Sequence, residues 1–126
     1  MNIGIIGIGN WGKKLLRVFN NIANVKICAC QDKIKNQNWF NENYPKIILT
    51  DNYKNILNDK SIDAVVIATS IDSHYEVASE SIAAKKHIFI EKPVTKNSLQ
   101  ASKLLDLKIM LGCPFIRNLS VLGLVQ

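Results

Sequence analysis

The stretch that decides the fold is Gly7-Ile8-Gly9-Asn10-Trp11-Gly12, a G-x-G-x-x-G pattern near the start of the sequence. It follows the apolar run Asn2–Ile6 directly and leads into residues 11–20, whose apolar side chains repeat with helical spacing. The pattern is weakly informative alone, but between a strand and a helix it is typical of a loop that binds the pyrophosphate of a dinucleotide. The sequence therefore predicts a strand, a phosphate-binding loop and a helix in this order.

The residues of this loop have separate expected tasks. We expect Gly7 to allow the tight turn, Gly9 to let the pyrophosphate approach the backbone, and Gly12 to let the helix pack closely against the strand. The helix N-terminus, at Asn10 and Trp11, offers free N–H groups and the positive end of the helix dipole to the phosphates. These five residues form the predicted pyrophosphate site.

The choice of nucleotide depends on the end of the predicted second strand, residues 25–30. A dinucleotide-binding fold has an acid there, about 20 residues after the loop, which binds the ribose hydroxyls. Asp32 stands close to that place, although Gln31 faces the ribose instead if the strand ends one residue earlier. Asp32 favours NAD because it would repel a 2′-phosphate, whereas Lys33 and Lys35 would attract that phosphate. The predicted cofactor is NAD, with NADP as the alternative.

Short apolar runs alternate with helical patterns along the remaining sequence. The further predicted strands are residues 47–49, 63–68, 87–90 and 108–111. The further predicted helices are residues 38–43, 51–58, 72–84 and 98–106. This alternation is typical of α/β proteins. We therefore predict a three-layer α/β/α Rossmann fold, a doubly wound parallel sheet with strand order 3-2-1-4-5-6.

Polar residues follow two of these strands at the edge where open α/β sheets bind ligands. Thr69 and Ser70 come directly after the fourth strand and are expected to face the cofactor cleft. His74 lies in the first turn of the next helix, either near the cleft or as a surface or capping histidine. The stretch Glu91-Lys92-Pro93 ends the fifth strand, where it is either part of the site or a surface charge pair before a turn. Ser73 and Glu76 have the spacing of a capping box, which predicts Ser73 as the helix N-cap.

Taken together and in order, the glycine loop, the run Ala-Thr-Ser-Ile-Asp-Ser-His at 68–74 and Glu91-Lys92-Pro93 resemble the Gfo/Idh/MocA family of oxidoreductases. The resemblance covers about residues 1–112. It implies hydride transfer between NAD(P) and a hydroxyl group of a sugar, a sugar derivative or a cyclitol. It also implies that Lys92, beside a cis Lys-Pro bond, is the catalytic residue that contacts the substrate and the nicotinamide region. Glu91 and Thr69 then line the nicotinamide side.

The sequence also departs from this family pattern. Members continue into a second domain that supplies the substrate pocket, whereas we expect here a nucleotide-binding domain at 1–112 and only an apolar tail at 113–126. Ser70 stands where the family usually has proline, and the join between the helix at 98–106 and the strand at 108–111 is short enough to suggest missing residues. The alternatives to an oxidoreductase are therefore a dinucleotide-binding or sensing module without catalysis, or a truncated remnant.

The composition of the chain limits the kinds of partner that we expect it to bind. The formal net charge is +6, but the lysines are scattered rather than clustered, which argues against a nucleic-acid partner. No apolar run reaches the roughly 20 residues of a membrane helix, and no signal peptide precedes the first strand. Cys28, Cys30 and Cys113 fit neither a redox nor a zinc spacing, so we expect reduced thiols and no metal site. These features predict a cytoplasmic protein, and the apolar tail or the open edge of strand six predicts a homodimer.

Overall fold

The computed structural model describes residues 1–31, 34–111 and 116–118. Its strands are β1 Asn2–Ile6, β2 Asn24–Ala29, β3 Ile48–Thr50, β4 Ala64–Ile67, β5 His87–Ile90 and β6 Ile116–Asn118. Its helices are α1 Asn10–Ile22, α2 Ile34–Asn43, α3 Lys54–Asn58, α4 Ile71–Ala83 and α5 Ser98–Leu111. All strand pairs are parallel, and the order β3-β2-β1-β4-β5-β6 confirms the predicted topology.

The central strands are buried on both faces, which explains their unbroken apolar sequences. One face of the sheet packs against α1 and α2, where Leu16 and Phe40 are fully buried. The other face packs against α3, α4 and α5, where Ile56, Ile82 and Leu104 are buried. The two cores on opposite faces give the three layers that the alternating pattern predicts.

The predicted position of the sixth strand is wrong. Residues 108–111 continue α5 without a break, and β6 lies at Ile116–Asn118, beside β5. A short apolar run does not by itself distinguish a strand from a buried helix turn. Here Leu104 and Leu107 lie three residues apart and pack into the core, so the helical spacing prevails. The join at 106–108 is helix, so the short helix-to-strand loop that suggested missing residues does not exist.

The predicted capping box is also wrong. Helix α4 begins one residue earlier than predicted, and its N-cap is Ser70 in extended conformation. Ser73 therefore lies within the first turn, where its Oγ donates to Thr69 Oγ1 at 2.8 Å and contacts Ser70 O at 3.0 Å. Ser70 itself makes no side-chain capping hydrogen bond.

Cys28 and Cys30 are buried thiols, as expected, and burial raises the pKa of the Cys28 thiol far above its ordinary value. Cys113 and most of the predicted tail lie outside the described residues. Within the described part of the chain, no helix is long and apolar enough to cross a membrane.

Candidate functional site

A cleft of about 400 Å³ opens at the carboxyl ends of the central strands. Its walls come from the loops after β1, β2, β3 and β4, and from the first turns of α2 and α4. The cleft includes the point between β1 and β4 where the strand order reverses. Ligands of open α/β sheets bind at such points, because the two loops diverge there and leave a crevice.

The glycine loop after β1 forms one wall of this cleft. Gly7 has a φ of +100°, and a Cβ atom at this position would lie 2.6 Å from Ala68 O. A Cβ at Gly12 would lie 2.0 Å from Gly7 O, so this glycine lets α1 pack against the loop. A Cβ at Gly9 would meet nothing within 4 Å, although Gly9 lines the cleft. Two glycines are therefore required by the fold, and Gly9 leaves space open in the cleft.

The start of α1 makes this side of the cleft electropositive. Gly9 is the N-cap and provides no side-chain hydrogen bond, so the first N–H groups of the helix are left for a ligand. Asn10 and Trp11, in the first turn, are both exposed. The ammonium of Lys14 lies 4.4 Å from the ring centroid of Trp11, a cation–π contact. An anion at the helix N-terminus would be stabilised by these donors and by the helix dipole.

Hydroxyl groups line the opposite wall, after β4. Thr69, Ser70 and Ser73 all border the cleft. The hydroxyl of Ser70 has no hydrogen-bond partner among the described residues and is exposed. The φ of Ser70 is −66°, the value that proline requires, so the backbone here accommodates the residue that the family pattern usually has.

Glu91 and Lys92 lie one strand further along the same edge. The N–H of Glu91 donates to Ile67 O at 3.0 Å, which fixes it beside the end of β4. Glu91 Oε1 accepts from the N–H of Lys92 at 3.1 Å, whereas Oε2 is buried and has no partner among the described residues. The Lys92 side chain is exposed, and the Lys92–Pro93 peptide is cis. Neither residue lines the cleft described above, so they form an adjoining part of the edge.

His74 is buried behind these loops. Its Nδ1 lies 2.9 Å from Pro93 O and its Nε2 lies 3.0 Å from Thr69 O. A neutral imidazole can donate to one of these carbonyls, and only a protonated ring can donate to both. Both ring nitrogens face backbone, so His74 connects the loop after β4 to the loop after β5. Because the side chain is only 2% exposed, His74 is not the surface histidine that the sequence left as one alternative.

The comparison with protein-family models matches residues 1–118 to the family described as "Oxidoreductase family, NAD-binding Rossmann fold", that is, GFO/IDH/MocA. The chain belongs to the Gfo/Idh/MocA oxidoreductase family. It is an NAD(P)-binding Rossmann domain of this family, as the three sequence motifs predicted.

Several relatives and solved structures are similar to this family member. The uncharacterized oxidoreductase YrbE of Bacillus subtilis is 38% identical over 73% of this chain and 27% of its own length. The inositol 2-dehydrogenase/D-chiro-inositol 3-dehydrogenase of Lactiplantibacillus plantarum is 29% identical over 87% of this chain and 32% of its own length. A biliverdin reductase from Synechocystis, solved with biliverdin and NADP+, has a TM-score of 0.84 at 23% identity, over 93% of this chain and 37% of that chain. The chain thus spans about a third of the length of these proteins.

The third side of the cleft, after β2 and β3, holds residues that the sequence analysis largely missed. Gln31, Asn36, Asp51 and Tyr53 all line it. The hydroxyl of Tyr53 donates to Glu80 at 2.8 Å, and burial together with this carboxylate raises the pKa of Tyr53 well above its ordinary value. Their positions in the sequence could have identified two of them, since Gln31 and Asp51 come within two residues of the ends of the neighbouring strands β2 and β3. The predicted acid, Asp32, lies outside the described residues.

The residues present fit the cofactor of the family. Gly9 leaves open the space that a pyrophosphate needs, and the cleft volume falls in the range of small-molecule sites. The unpartnered Glu91 Oε2 offers an acceptor for a ligand donor beside the cleft. The nicotinamide ring supplies the hydride chemistry when the cofactor is bound, and the protein supplies binding and orientation.

Proposed function

We propose that this chain provides the NAD(P)-binding part of an oxidoreductase that acts on a hydroxyl group of a sugar, a sugar derivative or a cyclitol. The observation that carries the proposal is the glycine loop, which leaves open space at Gly9 in a cleft that Thr69 and Ser70 also line. The similarity to an inositol dehydrogenase over 87% of this chain supports the substrate class.

In this proposal, Lys92 is the catalytic residue. Lys92 is exposed at the end of β5, where Nζ would contact the substrate hydroxyl: the neutral amine would take the hydroxyl proton during oxidation, and the ammonium would return it during reduction. Glu91 and Thr69 line the nicotinamide side. His74 holds the two loops that carry these residues at a constant separation, because its ring contacts the backbone of both. Gly9, Asn10 and Trp11 contact the pyrophosphate, and Gly7 and Gly12 shape the loop that presents them.

Titration with NADH tests the cofactor part of this function. We expect a Kd in roughly the micromolar range, measured by calorimetry and by quenching of the fluorescence of Trp11 and Trp39. A Lys103→Met variant should bind NADH within about threefold of the wild type, because Lys103 is exposed on α5 and does not line the described cleft. Absence of binding of both NADH and NADPH by the folded wild type would exclude the oxidoreductase and the sensing alternative and leave only the remnant.

We expect a polypeptide of these 126 residues to oxidise sugars or cyclitols more slowly than about one turnover per second. Hydride transfer needs a carbinol held against the nicotinamide and shielded from water, and Lys92 is exposed. Following NADH formation across a panel of polyols, with Lys92→Met as the control, tests this expectation. Turnover well above that rate, lost in Lys92→Met, would show that the chain needs no further domain.

We also propose that the chain forms a homodimer through the edge at β6 and the residues after it. β6 has three residues and pairs with β5 on one side, and the preceding helix exposes Leu105, Ile109 and Met110 by 56%, 78% and 71%. Exposed apolar side chains on a helix, and a strand that pairs on one side only among the described residues, are each typical of an interface. Light scattering should give a dimer for the intact chain and a monomer for a chain ending at Gly112, with circular dichroism to verify folding. A monomer in both cases contradicts the dimer.

A further inference from the structure

We propose that Asp51, at the end of β3, is a specificity residue that selects NAD over NADP, independently of the acid expected after β2. The proposal rests on NAD(P) binding in the cleft described above and concerns its adenosine half. It assigns to the third strand of the sheet a selective role that the G-x-G-x-x-G fingerprint does not include.

The register of the sheet puts Asp51 beside the expected position of the ribose. Ala29 of β2 is paired with Thr50 of β3, and the N–H of Cys30 donates to Thr50 O at 2.9 Å. Asp51 therefore leaves its strand level with Cys30 on the neighbouring strand, one residue before Gln31. The ribose of a dinucleotide lies at the end of the second strand when its pyrophosphate lies on the loop after the first. Asp51 is thus one strand away from that ribose, on the same edge.

Asp51 is also the only charged residue lining the described part of the cleft. Its carboxylate is exposed and has neither a hydrogen bond nor an ion pair among the described residues. Asp59, by contrast, accepts from Ser61, and Asp72 pairs with Lys96. The charge of Asp51 therefore acts on the cleft without an internal counter-ion.

Among the residues that the structure describes, which do not include Lys33, the basic groups near this end of the cleft do not cancel that charge. Lys54, three residues after Asp51, lies 3.4 Å from Glu80 and is paired with it. Lys35, on α2, is exposed and does not line the cleft, although its neighbour Asn36 does. The described wall thus presents a carboxylate and amides to the ribose, and no ammonium or guanidinium group.

This charge acts in opposite directions on the two nucleotides. The 2′-hydroxyl of NAD can donate a hydrogen bond to a carboxylate, directly or through water. The 2′-phosphate of NADP is an anion, so it would be repelled at the same distance, and the repulsion would weaken as salt is added.

The test compares Asp51→Asn with Asp106→Asn by calorimetric titration of NAD and NADP at low and high salt. Asp106 is exposed on α5 and does not line the cleft, so its substitution changes the net charge equally without changing the site. We expect the wild type to prefer NAD and Asp51→Asn to bind NADP roughly tenfold more tightly at low salt, with a smaller gain at high salt. NAD affinity should fall by less than about threefold, since a neutral amide still accepts a hydrogen bond.

Asp106→Asn should leave both affinities unchanged. An NADP-to-NAD affinity ratio that is the same in Asp51→Asn as in the wild type overturns the role of Asp51 and leaves selection to residues 31–33. Equal effects of the two substitutions also overturn it, because the effect is then one of net charge. Absence of binding of either nucleotide to the wild type instead contradicts the NAD(P) site itself.

Discussion

Gly9→Val should fold as the wild type does and bind NADH at least about a hundredfold more weakly. A Cβ at this position meets nothing within 4 Å, and the φ of −79° and ψ of −165° are extended backbone that valine adopts readily. The added methyl groups therefore cost the fold little. They occupy the space over the first N–H groups of α1, where a phosphate must approach the backbone closely.

Thermal unfolding measures whether Gly9→Val keeps the stability of the wild type, and calorimetric titration measures how much its NADH affinity falls. Asn20→Val is the matched control, because it adds the same side chain at an exposed position of α1, far from the loop. This control should keep the affinity of the wild type. An NADH affinity that is undiminished in folded Gly9→Val would mean that the pyrophosphate does not lie on this loop.

The glycine loop could be predicted from the sequence because its requirements are local. A positive φ at Gly7 and a Cβ overlap at Gly12 leave glycine as the only suitable residue, so the spacing of glycines reports the geometry. The central strands could also be predicted from the sequence, since a strand that is buried on both faces, such as Ala64–Ile67, has no polar residue. Their order followed from the alternation of strands and helices.

Other features could not be read locally. The apolar residues 108–111 suit a strand and a helix equally, and only the packing of Leu104 onto the core decides between them. The contacts of His74 depend on a carbonyl 19 residues away, at Pro93, which no helical pattern reveals. Asp51 becomes a candidate only when the register places β3 beside β2 at the cleft. These are consequences of tertiary structure, and the sequence spacing contains no signal for them.

Gly12→Ala should destabilise the fold itself, by about 2–4 kcal/mol. The new Cβ would lie 2.0 Å from Gly7 O and 2.8 Å from Gly7 C, which are backbone atoms of a turn. No side-chain rotation relieves this overlap, so α1 must move away from β1. That movement opens the core where Leu15, Leu16 and Phe19 are buried against the sheet.

The destabilisation expected of Gly12→Ala is a large fraction of the total, because a small domain has a free energy of unfolding of only about 5–15 kcal/mol. For a chain of this size we expect the Tm to fall by at least about 8 °C, measured by circular dichroism. Gly9→Ala is the matched control: it adds the same methyl group three residues earlier, in open space, and should shift the Tm by less than about 2 °C. Nearly equal Tm values for the two variants would show that α1 does not pack against the loop as closely as the Gly12 contact requires. A large fall in Tm for Gly12→Ala alone would show that the third glycine of the loop is needed for helix packing. The weakened NADH binding expected of Gly9→Val would show that the second glycine is needed for the phosphate.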